Sequence, residues 1–293
     1  MTRAKLYREV RYRSADDRLD LFARDLPAGK GDEKRIPLLM MHGLTRNSAD
    51  FEPLIAALGA GNRRMVVPDQ RGRGQSEYDP DPGNYRPDVY VQDMWVLLDR
   101  LGIDRVICIG TSMGGLMAMV MGAEQPNRIA GIILNDVGPE VSEVGLDRIR
   151  GYVGPSEPMA SWEEAAARCE AINGGAMIGY RSDDWLAFAK RTCEELPDGR
   201  VRFAYDPAIS ASMEDEQPAT VPPDLWTLWD ALDPIPLLAL RVEFSDILTQ
   251  QTLAKMARRR SGKMDYAEVS DRGHAPLLDE PIAAAAIARF LAR

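Results

Sequence analysis

The segment Gly110-Thr111-Ser112-Met113-Gly114 limits what this chain can build more than any other stretch. It follows directly on an apolar run, Val106 to Ile109, and directly precedes Leu116-Met117-Ala118-Met119-Val120-Met121, a helix-forming run. An apolar run, two glycines around a serine and then helix formers predict a strand that turns sharply into a helix. So tight a turn presses the backbone of residues 110 and 114 against its neighbours, where a Cβ would clash. The serine is then held in a strained conformation, with Oγ projecting from the sheet edge. The helix N-terminus beside it adds positive potential, which favours an anion at that point.

The remaining chain supplies a sheet for such a turn. Ile36 to Met41, Met65 to Val67, Ile129 to Leu134 and Leu237 to Leu240 are short, continuous apolar runs. Strands of that kind suit a sheet buried on both faces. Between them, Phe51, Leu54, Ile55 and Leu58 form one helical stripe, and Val91, Met94, Trp95 and Leu98 form another. The second opens at Pro87-Asp88 and closes at Gly102, the expected punctuation of a helix. Strands alternating with helices predict a mainly parallel sheet covered on both sides. The first forty residues differ: Val10 and Tyr12 sit between Glu9, Arg11 and Arg13, then Leu19, Leu21 and Ala23 alternate with Asp20 and Phe22, on either side of Ser14-Ala15-Asp16-Asp17. That pattern predicts a β-hairpin. No internal repeat or low-complexity stretch is evident.

From about Val137 to Ile235 the rhythm breaks into Gly- and Pro-rich sequence with short helices expected near Ser161–Asn173 and Ser182–Glu195. This stretch holds Trp162, Trp185, Trp226 and Trp229, four of the five tryptophans. A mostly helical insertion burying its own small core accounts for them, with some rings free to face a pocket. Met40, Met41, Met113 and Met117 are expected mainly as core filling.

A serine hydroxyl needs a base before it attacks a carbonyl. The chain has two histidines. His274 lies in Ser270-Asp271-Arg272-Gly273-His274, after the strand-like Met264 to Val269, so its loop opens on the same sheet edge as Ser112. His274 is the expected base. His42 precedes Gly43, and this segment suits a different role, in which the N–H of Leu44 would form one half of an oxyanion hole and that of Met113 the other. The acid that orients His274 is expected to be Asp246, on the loop after Leu237 to Leu240. Glu243 is a nearby alternative. Asp136 is a third, and it reads more simply as a loop-capping carboxylate.

The order Ser112, Asp246, His274 differs from those of chymotrypsin and subtilisin. Together with His42-Gly43, Asp69-Gln70-Arg71-Gly72-Arg73-Gly74-Gln75-Ser76 and Gly273-His274, it spans nearly the whole chain. On these motifs the sequence resembles the α/β-hydrolase-fold enzymes of the capped, esterase-like group, which includes carboxylesterases, enol-lactonases and carbon–carbon bond hydrolases. The resemblance implies an α/β-hydrolase fold: a mostly parallel twisted sheet with helices on both faces and an inserted, mainly helical cap. It implies a core of residues 1–137 and 236–293 and a cap of 138–235. It also implies a structural role for the loop from Asp69 to Ser76, with Arg71 or Arg73 contacting an acidic substrate as the lesser alternative. Relatives often carry glycine where this chain has Val242, which predicts that the Asp246 loop is displaced or stays extended.

The expected activity is hydrolysis of a small carboxylic ester or lactone through an acyl-enzyme on Ser112. The alternatives are cleavage of a ring-cleavage diketone, for which Ala275-Pro276 lacks the bulky residue often found after the histidine, and a slow-turnover ligand receptor. A serine at 112 argues against alkyl-ester chemistry of the dehalogenase or epoxide hydrolase type, which uses aspartate. No cofactor and no metal are expected, since no phosphate-loop or dinucleotide fingerprint occurs and both histidines are otherwise employed. The three cysteines resemble neither a disulfide scaffold nor a metal site. A net charge of −9 argues against nucleic acid and anionic membrane surfaces as partners. The charged stretch Met1 to Val10 lacks the apolar run of a signal peptide, so a cytoplasmic location is expected.

Overall fold

The computed structural model describes residues 6–211, 225–262 and 264–293. Strand β1 (Arg8–Arg13) and β2 (Asp20–Leu26) form the expected antiparallel hairpin, its turn closed by the Ser14 hydroxyl accepting from the Leu19 N–H at 2.9 Å. Strands β3 (Leu38–Met41), β4 (Met65–Asp69), β5 (Val106–Thr111) and β6 (Ile129–Asn135) follow. The last two strands of the sheet are β9 (Leu237–Phe244) and β10 (Asp265–Gly273). The eight strands run in the order β1-β2-β4-β3-β5-β6-β9-β10, and every pairing from β4 to β10 is parallel. Strand β10 extends beyond the apolar stretch read from sequence, through a register shift between Val269 and Gly273.

Each parallel strand sends alternate residues into two separate cores, which is why the apolar runs are unbroken. Leu39, Met41, Cys108, Leu134 and Ala239 face one side, with α2 (Pro87–Arg100) and α3 (Met113–Glu124). Leu38, Met40, Ile107, Ile133 and Leu240 face the other, with α1 (Glu52–Leu58) and α9 (Pro281–Leu291). Helix α8 (Gln250–Arg259) begins at Thr249, whose hydroxyl accepts the Thr252 N–H at 3.0 Å. Met40, Met41 and Met117 are wholly buried core residues.

The segment between β6 and β9 carries α4 (Glu143–Arg150), α5 (Trp162–Asn173), α6 (Ser182–Thr192), a two-stranded ribbon of β7 (Cys193–Glu195) with β8 (Val201–Phe203), and α7 (Leu225–Ala231). The second expected helix therefore stops at Thr192, where the chain turns extended to pair with β8. Trp185 anchors a core of this segment, with its ring edge-on to Phe188 at 5.6 Å and to Tyr180 at 5.1 Å. Trp229 does not share that core. Helix α7 packs into the main core instead, with Trp229 wholly buried and its Nε1–H donating to the Met256 carbonyl at 3.2 Å. No helix among the described residues is long and apolar enough to cross a membrane.

The β5–α3 turn is as tight as the sequence demands. A Cβ on Gly110 would overlap the Gly114 carbonyl, and one on Gly114 would overlap the Met41 carbonyl. Both obstacles are backbone, which cannot rotate aside. Gly114→Ala should therefore lose at least about 2 kcal/mol of stability. Urea unfolding checks this, and an unchanged midpoint would show that the crossing is looser than described.

Candidate active site

Ser112 sits between the end of β5 and the start of α3 at φ 52° and ψ −116°, a conformation that L-residues avoid. Its backbone is pinned from both sides. Its N–H donates to the Asn135 carbonyl at 3.1 Å, and its own carbonyl accepts from Gly115 at 2.8 Å and Leu116 at 3.2 Å. The strained turn aims Oγ at His274, whose Nε2 lies 2.8 Å away.

His274 follows β10, as expected. Its Nδ1 lies 2.9 Å from Oδ2 of Asp136. A carboxylate can only accept, so Nδ1 carries the proton and Nε2 presents its lone pair to the serine hydroxyl. Asp136 is fully buried at the end of β6, with φ 53°. Its Oδ1 accepts the Val242 N–H at 3.1 Å, and its Oδ2 also accepts the Ser245 hydroxyl at 2.8 Å. Asp136 thus caps the β9 loop, the role read from sequence, and orients the histidine as well.

The structure corrects the acid expected at Asp246. That carboxylate pairs with Arg148 of α4, one oxygen accepting from Nη2 at 3.0 Å and the other from Nε. Burial works to raise the Asp246 carboxyl, but the Arg148 hydrogen bonds and charge outweigh it and hold it below the usual carboxylate range. Val242 shows why the loop differs from the glycine-bearing pattern. It remains in β9, wholly buried, and the chain stays extended to Phe244 before turning. Glu243 is also elsewhere: it accepts the Asp271 N–H at 3.0 Å on the exposed side of the β9–β10 edge.

One positioning residue escaped the sequence reading. Asn135 donates from Nδ2 to Thr111 Oγ1 and to the Pro276 carbonyl, both at 3.0 Å, tying the serine turn to the histidine loop. Its only signal was its place, directly before Asp136 at a strand end beside the serine strand.

The segments that carry the two expected oxyanion donors both adjoin Ser112. Met113 is the first residue of α3, where helix geometry leaves the N–H without an intrahelical acceptor. Leu44 follows Gly43, and a Cβ built on Gly43 would lie 3.7 Å from the Ser112 Cβ. His42 fixes this peptide. Its Nδ1–H donates to the Gly43 carbonyl at 2.8 Å, and because carbonyl and N–H of one peptide point oppositely, the Leu44 N–H is turned away from it. Its Nε2 accepts the Gln70 N–H at 3.1 Å, so both ring nitrogens are occupied and His42 is no base for Ser112.

In the loop from Asp69 to Ser76, Asp69 accepts the N–H groups of Ser48 at 2.6 Å and Gln75 at 2.9 Å. Arg71 is buried among Asp16, Asp79 and Asp93, at 3.0, 2.9 and 2.6 Å, which is a structural role. Beyond Leu44, Thr45 and Arg46 face a cavity whose aromatic lining is Tyr152, Phe188, Phe203 and Tyr205.

A family model described as alpha/beta hydrolase fold matches residues 36–281. The chain is 33% identical over 260 residues to a 3-hydroxybutyrate-oligomer hydrolase of Cupriavidus necator, covering 86% of this chain and 87% of that protein. It is 27% identical over 223 residues to a 2-(acetamidomethylene)succinate hydrolase of Mesorhizobium japonicum, covering 76% of each. The crystal structure of an α/β hydrolase from Novosphingobium aromaticivorans is similar over 99% of both chains, with a TM-score of 0.91 and 43% identity.

Burial gives His42 a pH signature. It pushes the imidazole down to about 3, aided by the charges of Arg73 and Arg46 and opposed by the Gly43 hydrogen bond. The unfolded chain takes up this proton near pH 6.5 and the folded chain does not, so stability is lost as pH falls from there towards about 3. Between pH 7 and pH 5 the loss from this group should be about 2 kcal/mol. Urea unfolding of wild type and His42→Asn at both pH values checks it, since the variant should lack this share of the pH dependence. Equal losses in the two proteins would contradict the assignment.

Proposed function

The chain belongs to the α/β-hydrolase-fold family, and on that footing we propose that it hydrolyses small carboxylic esters through an acyl-enzyme on Ser112. One observation carries the reading: the unbroken hydrogen-bonded path from Asp136 through His274 to Ser112, at 2.9 and 2.8 Å. In this mechanism His274 takes the proton of Ser112 as its oxygen attacks the ester carbonyl, while buried Asp136 stabilises the imidazolium. The N–H groups of Leu44 and Met113 donate to the oxyanion, and the imidazolium returns its proton to the departing alcohol. A water activated by the same histidine then releases the acid. Lactones, being internal esters, fit the same steps.

For the substrate we propose short oligomers of a 3-hydroxy acid, on the strength of the likeness to the Cupriavidus necator hydrolase over most of both chains. Such oligomers are chains of small aliphatic esters.

Ser112→Ala should abolish multiple turnover of 3-hydroxybutyrate dimer and of aryl acetates while the protein stays folded. Asp136→Asn should lower kcat about 10⁴-fold, because the amide can stabilise the wrong imidazole tautomer and cannot balance the imidazolium. Asp246→Asn should lower it less than tenfold. Steady-state kinetics of the three variants checks these values. Activity retained by Ser112→Ala would end the mechanism, and rapid aryl-ester turnover without hydrolysis of the dimer would end the substrate assignment.

A further inference from the structure

Two arginines stand two residues apart in the loop after β4, and their surroundings are opposite. Arg71 is enclosed by three carboxylates. Arg73 is wholly buried, and no carboxylate of the described residues lies within ion-pair distance of it. Its acceptors are neutral: the Leu44 carbonyl at 2.9 Å from Nε, and the Arg71 carbonyl at 2.6 Å and the Tyr90 hydroxyl at 2.8 Å from Nη1. The remaining nitrogen, Nη2, lies 3.9 Å from Sδ of Met113. The rings of Tyr90 and Tyr85 lie 5.0 and 5.5 Å from its central carbon.

A guanidinium stays charged at any pH the fold survives. Burying one without a counter-charge is costly, and its field is little screened. This one touches both residues expected to supply the oxyanion donors, gripping Leu44 through its carbonyl and reaching Met113 through its side chain. Resting on the serine-ester reading above, we propose that Arg73 is a positioning residue of the oxyanion hole whose unpaired charge also stabilises the tetrahedral intermediate. In the ground state the ester carbonyl carries little charge, so the field contributes little. When the carbonyl oxygen becomes an anion the contribution grows, which is the condition for lowering the barrier rather than merely binding substrate.

A purely structural role is the rival explanation. The loop carries the inserted segment, since Gly74 donates to the Ala204 carbonyl at 2.8 Å and Asp206 donates to the Gly72 carbonyl at 2.7 Å. Loss of a mere strut would lower stability and raise KM without selecting between ground and tetrahedral states.

The test compares Arg73→Lys and Arg73→Gln with wild type in three readouts: kcat and KM for an aryl acetate, thermal stability, and affinity for an alkylboronic acid. The boronic acid adds Ser112 Oγ to form a tetrahedral anion in the same place. The proposal expects Arg73→Gln to lose at least tenfold in kcat and a similar factor in boronate affinity, with KM changed less than threefold. Arg73→Lys should recover part of both. Folded variants whose kcat and boronate affinity stay within twofold of wild type would overturn it, as would equal losses in boronate affinity and KM.

If neither variant folds, Tyr90→Phe decides. It keeps the charge but removes one of the two acceptors of Nη1, leaving the Arg71 carbonyl, and should weaken boronate binding about threefold at unchanged KM. Unchanged boronate affinity in that variant would overturn the proposal. Ser112→Ala separates the two levels, because turnover surviving it defeats the serine reading whatever Arg73 does.

Discussion

The Asp136 carboxylate holds the site together because it accepts three hydrogen bonds at once, from β9 and from the loops after β9 and β10. The Val242 N–H, the Ser245 hydroxyl and the His274 Nδ1–H all converge on it from β9, the β9 loop and the β10 loop. A fully buried carboxylate must find such partners, since an unpaired one would cost several kcal/mol. Satisfying that demand fixes the histidine tautomer and aims Nε2 at the serine. The same residue that caps the β9 loop therefore completes the hydrogen-bonded path through His274 to Ser112. Its φ of 53° lies in the left-handed region, which is uncommon for a residue other than glycine.

A second constraint delivers the serine to that path. Gly110, Gly114 and the Met41 carbonyl cross so closely that side chains are excluded, which lets α3 start immediately after β5. Ser112 absorbs the strain at the top of the crossing, with Asn135 as its tether to the histidine loop. Around it lies a shell of peptide-holding residues. His42 holds the Gly43 carbonyl and Arg73 the Leu44 carbonyl, so the loop after β3 is gripped at consecutive peptides. These grips are made by wholly buried side chains in the segments that follow β3 and β4.

Much of this was legible because it depends on local patterns. The Gly-x-Ser-x-Gly turn, the apolar strand runs and the helix punctuation at Pro87 and Gly102 each follow from sterics that act within a few residues. With two histidines and one placed beside Gly43, the hydrogen-bond partner of Ser112 followed by elimination. The carboxylate that pairs with His274 did not, because the choice among Asp136, Glu243 and Asp246 is made by tertiary pairing. Arg148, about a hundred residues before Asp246, claims that carboxylate, and no local pattern announces the match. Val242 in place of glycine was the one hint that the β9 loop leaves the sheet differently. Helix α7 escaped for a similar reason, since only packing against α3 and Met256 reveals that Trp229 serves the main core.

The hydrogen bond between His274 and Asp136 can be observed directly. With two histidines in the chain, proton NMR of the boronate-inhibited protein should show a strongly deshielded resonance from the Nδ1 proton of protonated His274. If Asp136 is the orienting acid, this resonance persists in Asp246→Asn and disappears in Asp136→Asn. A resonance that survives Asp136→Asn, or one that vanishes in Asp246→Asn, would contradict that assignment.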